Sequence, residues 1–323
     1  MAAVSYAPMV VLRADPWSPE YGMGLETAGL EEPALPVDPF VESRDWSRAV
    51  RPVAGQPEPV VFVDGVRRVE VRLWAEDSGQ RVPGVLGTWA VGSVLCDGQA
   101  SFGEERVGRA LVLGGGVALP PPVIRAGGAS LRFESRAVAG SEVLAPLAAL
   151  QELMREAESA LASRLAATSG RLVVVDGPLS FLDPTEAPVV GLVKRLVRAY
   201  LGPEQDALLP ALAPGERTPL FGLGAEPNAR FAWYVRLAAV RPPWHDRAGV
   251  VRCEVRTGLG LEPARELADR VTAILPGFSG RPPDPRAPQN LAPVGALETR
   301  LRHRMGHAAF VRRALQEWLV DRG

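Results

Sequence analysis

Two short apolar runs in this chain close on the same dipeptide. Val60-Val61-Phe62-Val63 leads into Asp64-Gly65, and Leu172-Val173-Val174-Val175 leads into Asp176-Gly177, 112 residues later. Four consecutive large apolar residues bounded by turn chemistry read as a buried strand. An aspartate at the exit of such a strand stands where core meets solvent. Two such exits point to one site assembled from distant segments. The only lysine of the chain, Lys194, follows Asp176 by eighteen residues, while every other basic side chain is arginine.

Around these runs the period of the sequence changes twice. Residues 1–58 carry prolines, acids and aromatics without a sustained period and read as an extended N-terminal arm. One short helix is expected there, with Trp17, Tyr21, Phe40 and Trp46 packing it on the core. The first strand should end at Asp64. Arg68–Trp74 alternates strictly, Gly84–Leu95 forms a third strand, and the three make an antiparallel meander. A weaker set of strands fills 100–140. Over 142–167, Leu147, Leu150, Leu153, Met154, Ala157, Leu161 and Leu165 recur at i, i+3, i+4 spacing, the mark of an amphipathic helix that Gly170 stops. A second helix is expected over 187–201, then strands at 230–240 and 249–256, a helix at 262–274, a proline-rich loop at 276–288 and a C-terminal helix from about 294. The fold class is α/β with a mixed sheet.

Composition narrows the setting. A hydrophobic share of 47% beside 23% charged residues is ordinary for a soluble globular chain. No apolar stretch approaches the roughly 18–20 residues that cross a bilayer, and the first residues lack a basic segment followed by an apolar one. Cys96 and Cys253 are too few and too far apart in sequence for a disulfide framework or a cysteine zinc site. A cytoplasmic protein is the expectation. The net charge of −1 does not announce a nucleic-acid binder, yet phosphate contacts need only a local basic patch.

Hard divalent cations such as Mg²⁺ and Mn²⁺ take oxygen ligands, and phosphoryl transfer on metal ions needs several carboxylates converging on one point. Asp64 and Asp176, ending the first strand of a meander and a strand reached through a long helix, match the ribonuclease H-like arrangement. Two turn-initiating Asp-Gly dipeptides are the plainer explanation of the same residues. A third carboxylate is sought on the intervening helix, where Glu152, Glu156 and Glu158 compete, with Glu134 on a strand as a further option. Lys194 is suited to contact a phosphate or to orient a metal ligand. Asp183 and Glu186 look like helix-capping residues. His303 and His307 stand i, i+4 on a basic helix with Arg300, Arg302, Arg304, Arg312 and Arg313, but the acid of a zincin motif is missing. Gly114-Gly115-Gly116 lacks the Lys and Ser/Thr of a P-loop, so ATP hydrolysis is not expected from this chain.

Val63-Asp64-Gly65, the helix segment Leu153–Glu158, Val175-Asp176-Gly177-Pro178-Leu179 and Gly191-Leu192-Val193-Lys194-Arg195 resemble the motifs of the NurA family of DNA-end-processing nucleases. The opening Asp15-Pro16-Trp17-Ser18-Pro19-Glu20-Tyr21-Gly22 is similar to that of bacterial members. The resemblance implies a ribonuclease H-like nuclease domain over 59–323, with the arm in front and a C-terminal helical extension behind. It implies Mn²⁺- or Mg²⁺-dependent cleavage of DNA by a homodimer, alongside a HerA-type hexameric ATPase, in DNA break repair or defence. The family spacing favours Glu158 as the third acid. Asp64, Glu158, Asp176 and Lys194 are then the catalytic set, and Asp64, Glu158, Asp176 and Glu298 the metal ligands. Arg195, Arg300 and Arg304 would face DNA. The family's C-terminal tyrosine and histidine are absent from 286–298, where Asn290 and Glu298 are the possible substitutes. That departure keeps open a catalytically weakened adaptor or clamp that regulates a translocase, and a restriction-type or Argonaute-like nuclease is a looser alternative.

Overall fold

The computed structural model describes residues 10–15, 34–53, 58–77, 79–182, 188–196, 198–239, 243–281 and 286–321. Its strands are β1 (Val11–Ala14), β2 (Val37–Asp38), β3 (Val60–Asp77), β4 (Gln80–Asp97), β5 (Gln99–Leu113), β6 (Val123–Ala126), β7 (Ala129–Arg132), β8 (Glu134–Ala137), β9 (Leu172–Asp176), β10 (Val189–Val193), β11 (Phe221–Leu223), β12 (Arg230–Arg236) and β13 (Val250–Arg256). The helices are α1 (Ala145–Ser169), α2 (Pro203–Asp206), α3 (Leu208–Ala211), α4 (Leu261–Ile274), α5 (Ala292–Arg304) and α6 (Ala308–Val320). Eleven strands form one mixed sheet in the order β2-β11-β12-β13-β10-β9-β3-β4-β5-β8, with β1 also on β3, and β6-β7 is a separate hairpin. In the middle of the sheet β3, β9 and β10 run parallel, while β4 runs against both β3 and β5.

The alternation of β3 and β9 decides what faces what. Val61, Val63, Val173 and Val175 pack against Leu147, Leu150, Met154 and Leu161 of α1. Val60, Phe62, Leu172 and Val174 turn the other way, into a cluster with Ala264, Leu267 and Val271 of α4 and Val294, Leu297 and Leu301 of α5. With a side-chain period of two, Asp64 and Asp176 fall on the face that α5 covers. Gly92, the cross-strand partner of Asp64, makes that approach possible, because a Cβ there would lie 3.0 Å from Leu301.

Several expectations change. Asp64-Gly65 is no turn: β3 runs on for thirteen residues beyond Asp64, so the run at 60–64 and the alternating stretch at 68–74 are one strand. What ends at this point is the pairing with β9, whose last register pair is Val63 with Val175. The segment expected as a helix over 187–201 contains β10 instead. Val189–Val193 is buried at every position, and a continuous apolar run on a doubly covered strand has no period to distinguish it from a buried helix. The single C-terminal helix is two, broken at Met305-Gly306-His307 with Gly306 at a φ of 87°, so His303 and His307 do not share one helix. The described part of the first 58 residues contains no helix. It supplies β1 on β3 and β2 at the outer edge on β11. Trp46 is buried and Phe40 half-exposed. Trp17, Tyr21, Asp183 and Glu186 lie outside the described residues.

Candidate metal centre

The site grows from the ends of the parallel strands. Asp176 is the last residue of β9, in register with Leu192 of β10, so the chain leaving β10 carries Lys194 to the same level. Gly177 makes the turn at a φ of 131° and hydrogen-bonds back to the Leu192 carbonyl at 2.9 Å. Its lack of a side chain leaves room for Arg155, whose Nη1 would sit 2.8 Å from a Cβ there. From the opposite layer, α5 presents Glu298.

Oxygens of Asp64, Asp176 and Glu298 lie within 4.8 Å of one another. Asp64 is 4% exposed and Glu298 6%. One Asp64 oxygen accepts the Gly65 amide at 2.8 Å, and the other, Oδ2, is buried without a hydrogen-bond partner. Glu298 Oε1 accepts Arg286 Nη1 at 2.8 Å. Its Oε2 lies 3.4 Å from Arg302 but is also left without a hydrogen bond. Lys194 Nζ donates to Asp176 Oδ2 at 2.7 Å and to Asn290 Oδ1 at 2.9 Å. Asn290 is fully buried, and Gly295 on the first turns of α5 leaves it space, a Cβ there reaching within 3.0 Å of its Nδ2.

Glu158 is buried on α1 but is not among the three residues whose oxygens converge. Arg155 Nη1 donates to Glu158 Oε2 at 2.6 Å and to the Asp176 carbonyl at 2.7 Å, while Glu158 Oε1 has no partner. Arg155 thus ties α1 to the end of β9. Nothing beyond its position one helical turn before Glu158 signals this in the sequence. The competing acids point elsewhere: Glu152, half-buried, and Glu156, exposed, pair with Arg136, and Glu134 is exposed and accepts from Trp89. Arg300 and Arg304 both turn onto Glu105 of β5, with Arg300 also stacked 4.6 Å above Phe102. Arg195 is exposed beside Lys194. His303 and His307 are exposed.

Burial pushes the Asp64 carboxyl well above the usual carboxylate range, and the Asp176, Glu158 and Glu298 charges push it further against the pull of Lys194. Burial likewise raises Glu158 despite its bond from Arg155. Arg155 is held more firmly protonated because the attraction of Glu158, Asp176 and Asp64 outweighs its own desolvation. A fold that gathers buried carboxylates and leaves three of their oxygens unsatisfied stores a cost of the kind a cation removes. The donors are all hard oxygens, the set that suits Mg²⁺ or Mn²⁺ and disfavours softer ions.

No family model matches the sequence, and no curated protein matches it. Among solved structures the chain is similar to the NurA nuclease from Sulfolobus solfataricus, with 12% identity and a TM-score of 0.46 over 80% of this chain and 84% of that one. A likeness of that size carries no argument about this chain.

Proposed function

We propose that the protein is a metal-dependent phosphodiester hydrolase acting on DNA. The observation that carries this reading is the convergence of Asp64 of β3, Asp176 at the end of β9 and Glu298 of α5, with one buried oxygen each of Asp64 and Glu298 left without a hydrogen bond. The strand order β5-β4-β3-β9-β10, with β4 alone reversed and α1 leading into β9, supports a ribonuclease H-like core within 59–323.

In this reading Asp64, Asp176 and Glu298 hold the ion, and Glu158 supports them from α1. A bound divalent cation supplies Lewis-acid polarisation of a phosphoryl oxygen and a more acidic water. Lys194, fixed between Asp176 and Asn290, sets the orientation of the Asp176 carboxylate and offers positive charge to a phosphate. Asn290, one of the two possible substitutes for the tyrosine and histidine that the resemblance implies, holds that lysine through its Oδ1. The motif resemblance adds Mn²⁺ as the preferred ion, a homodimer and a HerA-type ATPase as partner in processing DNA ends.

The test is cleavage of labelled linear DNA with Mn²⁺ or Mg²⁺. Asp64→Ala and Asp176→Ala are each expected to reduce the rate by at least about 10³-fold, on the scale of losing a centre that carries most of the electrostatic stabilisation. Cleavage that survives EDTA or both substitutions would sink the proposal. Calorimetric titration separates it from the adaptor reading, which does not require carboxylate-dependent Mn²⁺ binding.

A further inference from the structure

Arg155 decides how the charge of the carboxylate cluster is balanced. Four carboxylates act on one another there, because Asp64 feels the charges of Asp176, Glu158 and Glu298. Two cations answer from within the fold. Lys194 Nζ pairs with Asp176 at 2.7 Å and Arg155 Nη1 with Glu158 at 2.6 Å, and their side chains are only 15% and 23% exposed. The arginines on Glu298, Arg286 and Arg302, are half-exposed or more, so solvent screens much of their charge. Four negative charges against two enclosed positive ones leave what one divalent ion neutralises. The contacts of Arg155 are as specific as its charge. Both of its short bonds leave the same nitrogen, one to Glu158 Oε2 and one to the Asp176 carbonyl. Gly177 is shaped around the whole guanidinium, since a Cβ there would lie 2.8 Å from Nη1 and 3.1 Å from Cζ and Nη2.

We propose that Arg155 is the positioning residue of the metal centre: by occupying Glu158 Oε2 it keeps Glu158 out of the ligand set, so that Asp64, Asp176 and Glu298 take one ion. This rests on the nuclease reading and adds a group of its centre that touches neither ion nor substrate. Without Arg155, both oxygens of the buried Glu158 side chain lack a partner, next to the charges of Asp64 and Asp176. Buried carboxylates in that state draw in a further hard cation.

Mn²⁺ is titrated calorimetrically into metal-free protein, with circular dichroism as the check on folding. Wild type should take one ion. Arg155→Met should take two, and the second should vanish when Glu158→Gln is added, a double variant that leaves no charge of the pair buried alone. Arg155→Lys should return to one, since one ammonium can make both bonds that leave Nη1. Glu158→Gln alone should keep one ion with about 10–100-fold weaker binding, the usual effect of losing a group behind the ligands. That variant decides the matter even where Arg155→Met does not fold. Two ions on wild type, one ion on folded Arg155→Met, or no ion on Glu158→Gln would each overturn the proposal. Wild type that binds no Mn²⁺ refutes the nuclease reading itself, whereas a wrong ion count refutes only the role of Arg155.

Discussion

Asp64 shows at a single residue how a site can be held at the expense of the fold. Its carboxyl is buried, raised by three neighbouring carboxylates and only half hydrogen-bonded. Without a cation, Asp64→Asn removes a buried acid that binds its proton more tightly folded than unfolded. The variant should therefore gain about 0.5–2 kcal/mol at neutral pH, in the way functional residues often cost stability. Thermal melts in EDTA and in Mn²⁺ give the reading: wild type should be stabilised by Mn²⁺ and Asp64→Asn should not. The pH sign follows. A folded value above the ordinary 3.8 means that the folded chain holds more protons between the two values. The wild-type advantage from protonated Asp64 is fully present below 3.8 and is lost as pH rises towards the folded value. The gap between Asp64→Asn and wild type in EDTA should widen with rising pH, and the Mn²⁺-induced stabilisation should widen with it. A pH-independent gap would contradict the burial argument. Asp64, Asp176 and Lys194 stand out in the sequence because each is chemically discordant with its neighbours. Arg155 does not, since an arginine three residues before a glutamate on a helix reads as an ordinary solvated i, i+3 pair.

At the scale of elements, the site depends on how closely strands and helices approach. Gly191 lies in the middle of β10, and a Cβ there would meet the carbonyl oxygen of Gly177 at 2.8 Å and Leu179 Cγ at the same distance. Backbone cannot yield as a side-chain tip does. Gly191→Ala should therefore cost about 1–3 kcal/mol in urea unfolding, as overpacking does. It should also weaken metal binding by shifting the turn that carries Asp176. A loss of stability without any loss of metal affinity would show that the turn tolerates the shift. Element identity was legible where periodicity was clean. The stretch 142–167 reads as a helix and α1 is found at Ala145–Ser169, closed by Gly170 in the left-handed region. Burial on both faces hides the nature of β10, because an all-apolar run has no contrast to read. The length of β3 was masked by Asp64-Gly65, a dipeptide that usually turns but here stays extended and paired with Val91 and Gly92. Local turn chemistry lost to the ladder of hydrogen bonds on β4.

Across the whole molecule, the segment before β3 is joined to distant parts of the chain. Glu42 accepts both Arg217 Nη atoms, at 2.7 and 2.8 Å, and the Leu220 amide, while Arg217 Nε reaches Asp269 of α4 at 2.7 Å. Arg217 has no exposed side-chain surface, so replacing it leaves Glu42 largely buried without its cation. Arg217→Met should destabilise the protein by about 3–5 kcal/mol, the scale of breaking a buried pair from one side. Limited proteolysis should then cut first near residues 34–53, and unchanged protection there would refute the tie. Such long-range pairing leaves no trace in composition or period, which is why the first 58 residues read only as an arm. The single lysine has a different consequence, one for chemistry at the bench. Apart from the α-amino group, an amine-selective reagent has one target on this protein, and that target donates to Asp176 in the candidate metal centre. Acylation followed by peptide mapping would separate the Lys194 adduct from that of the α-amino group. Its rate, with and without Mn²⁺ or oligonucleotide, would report occupancy of the centre from within, with no engineered label.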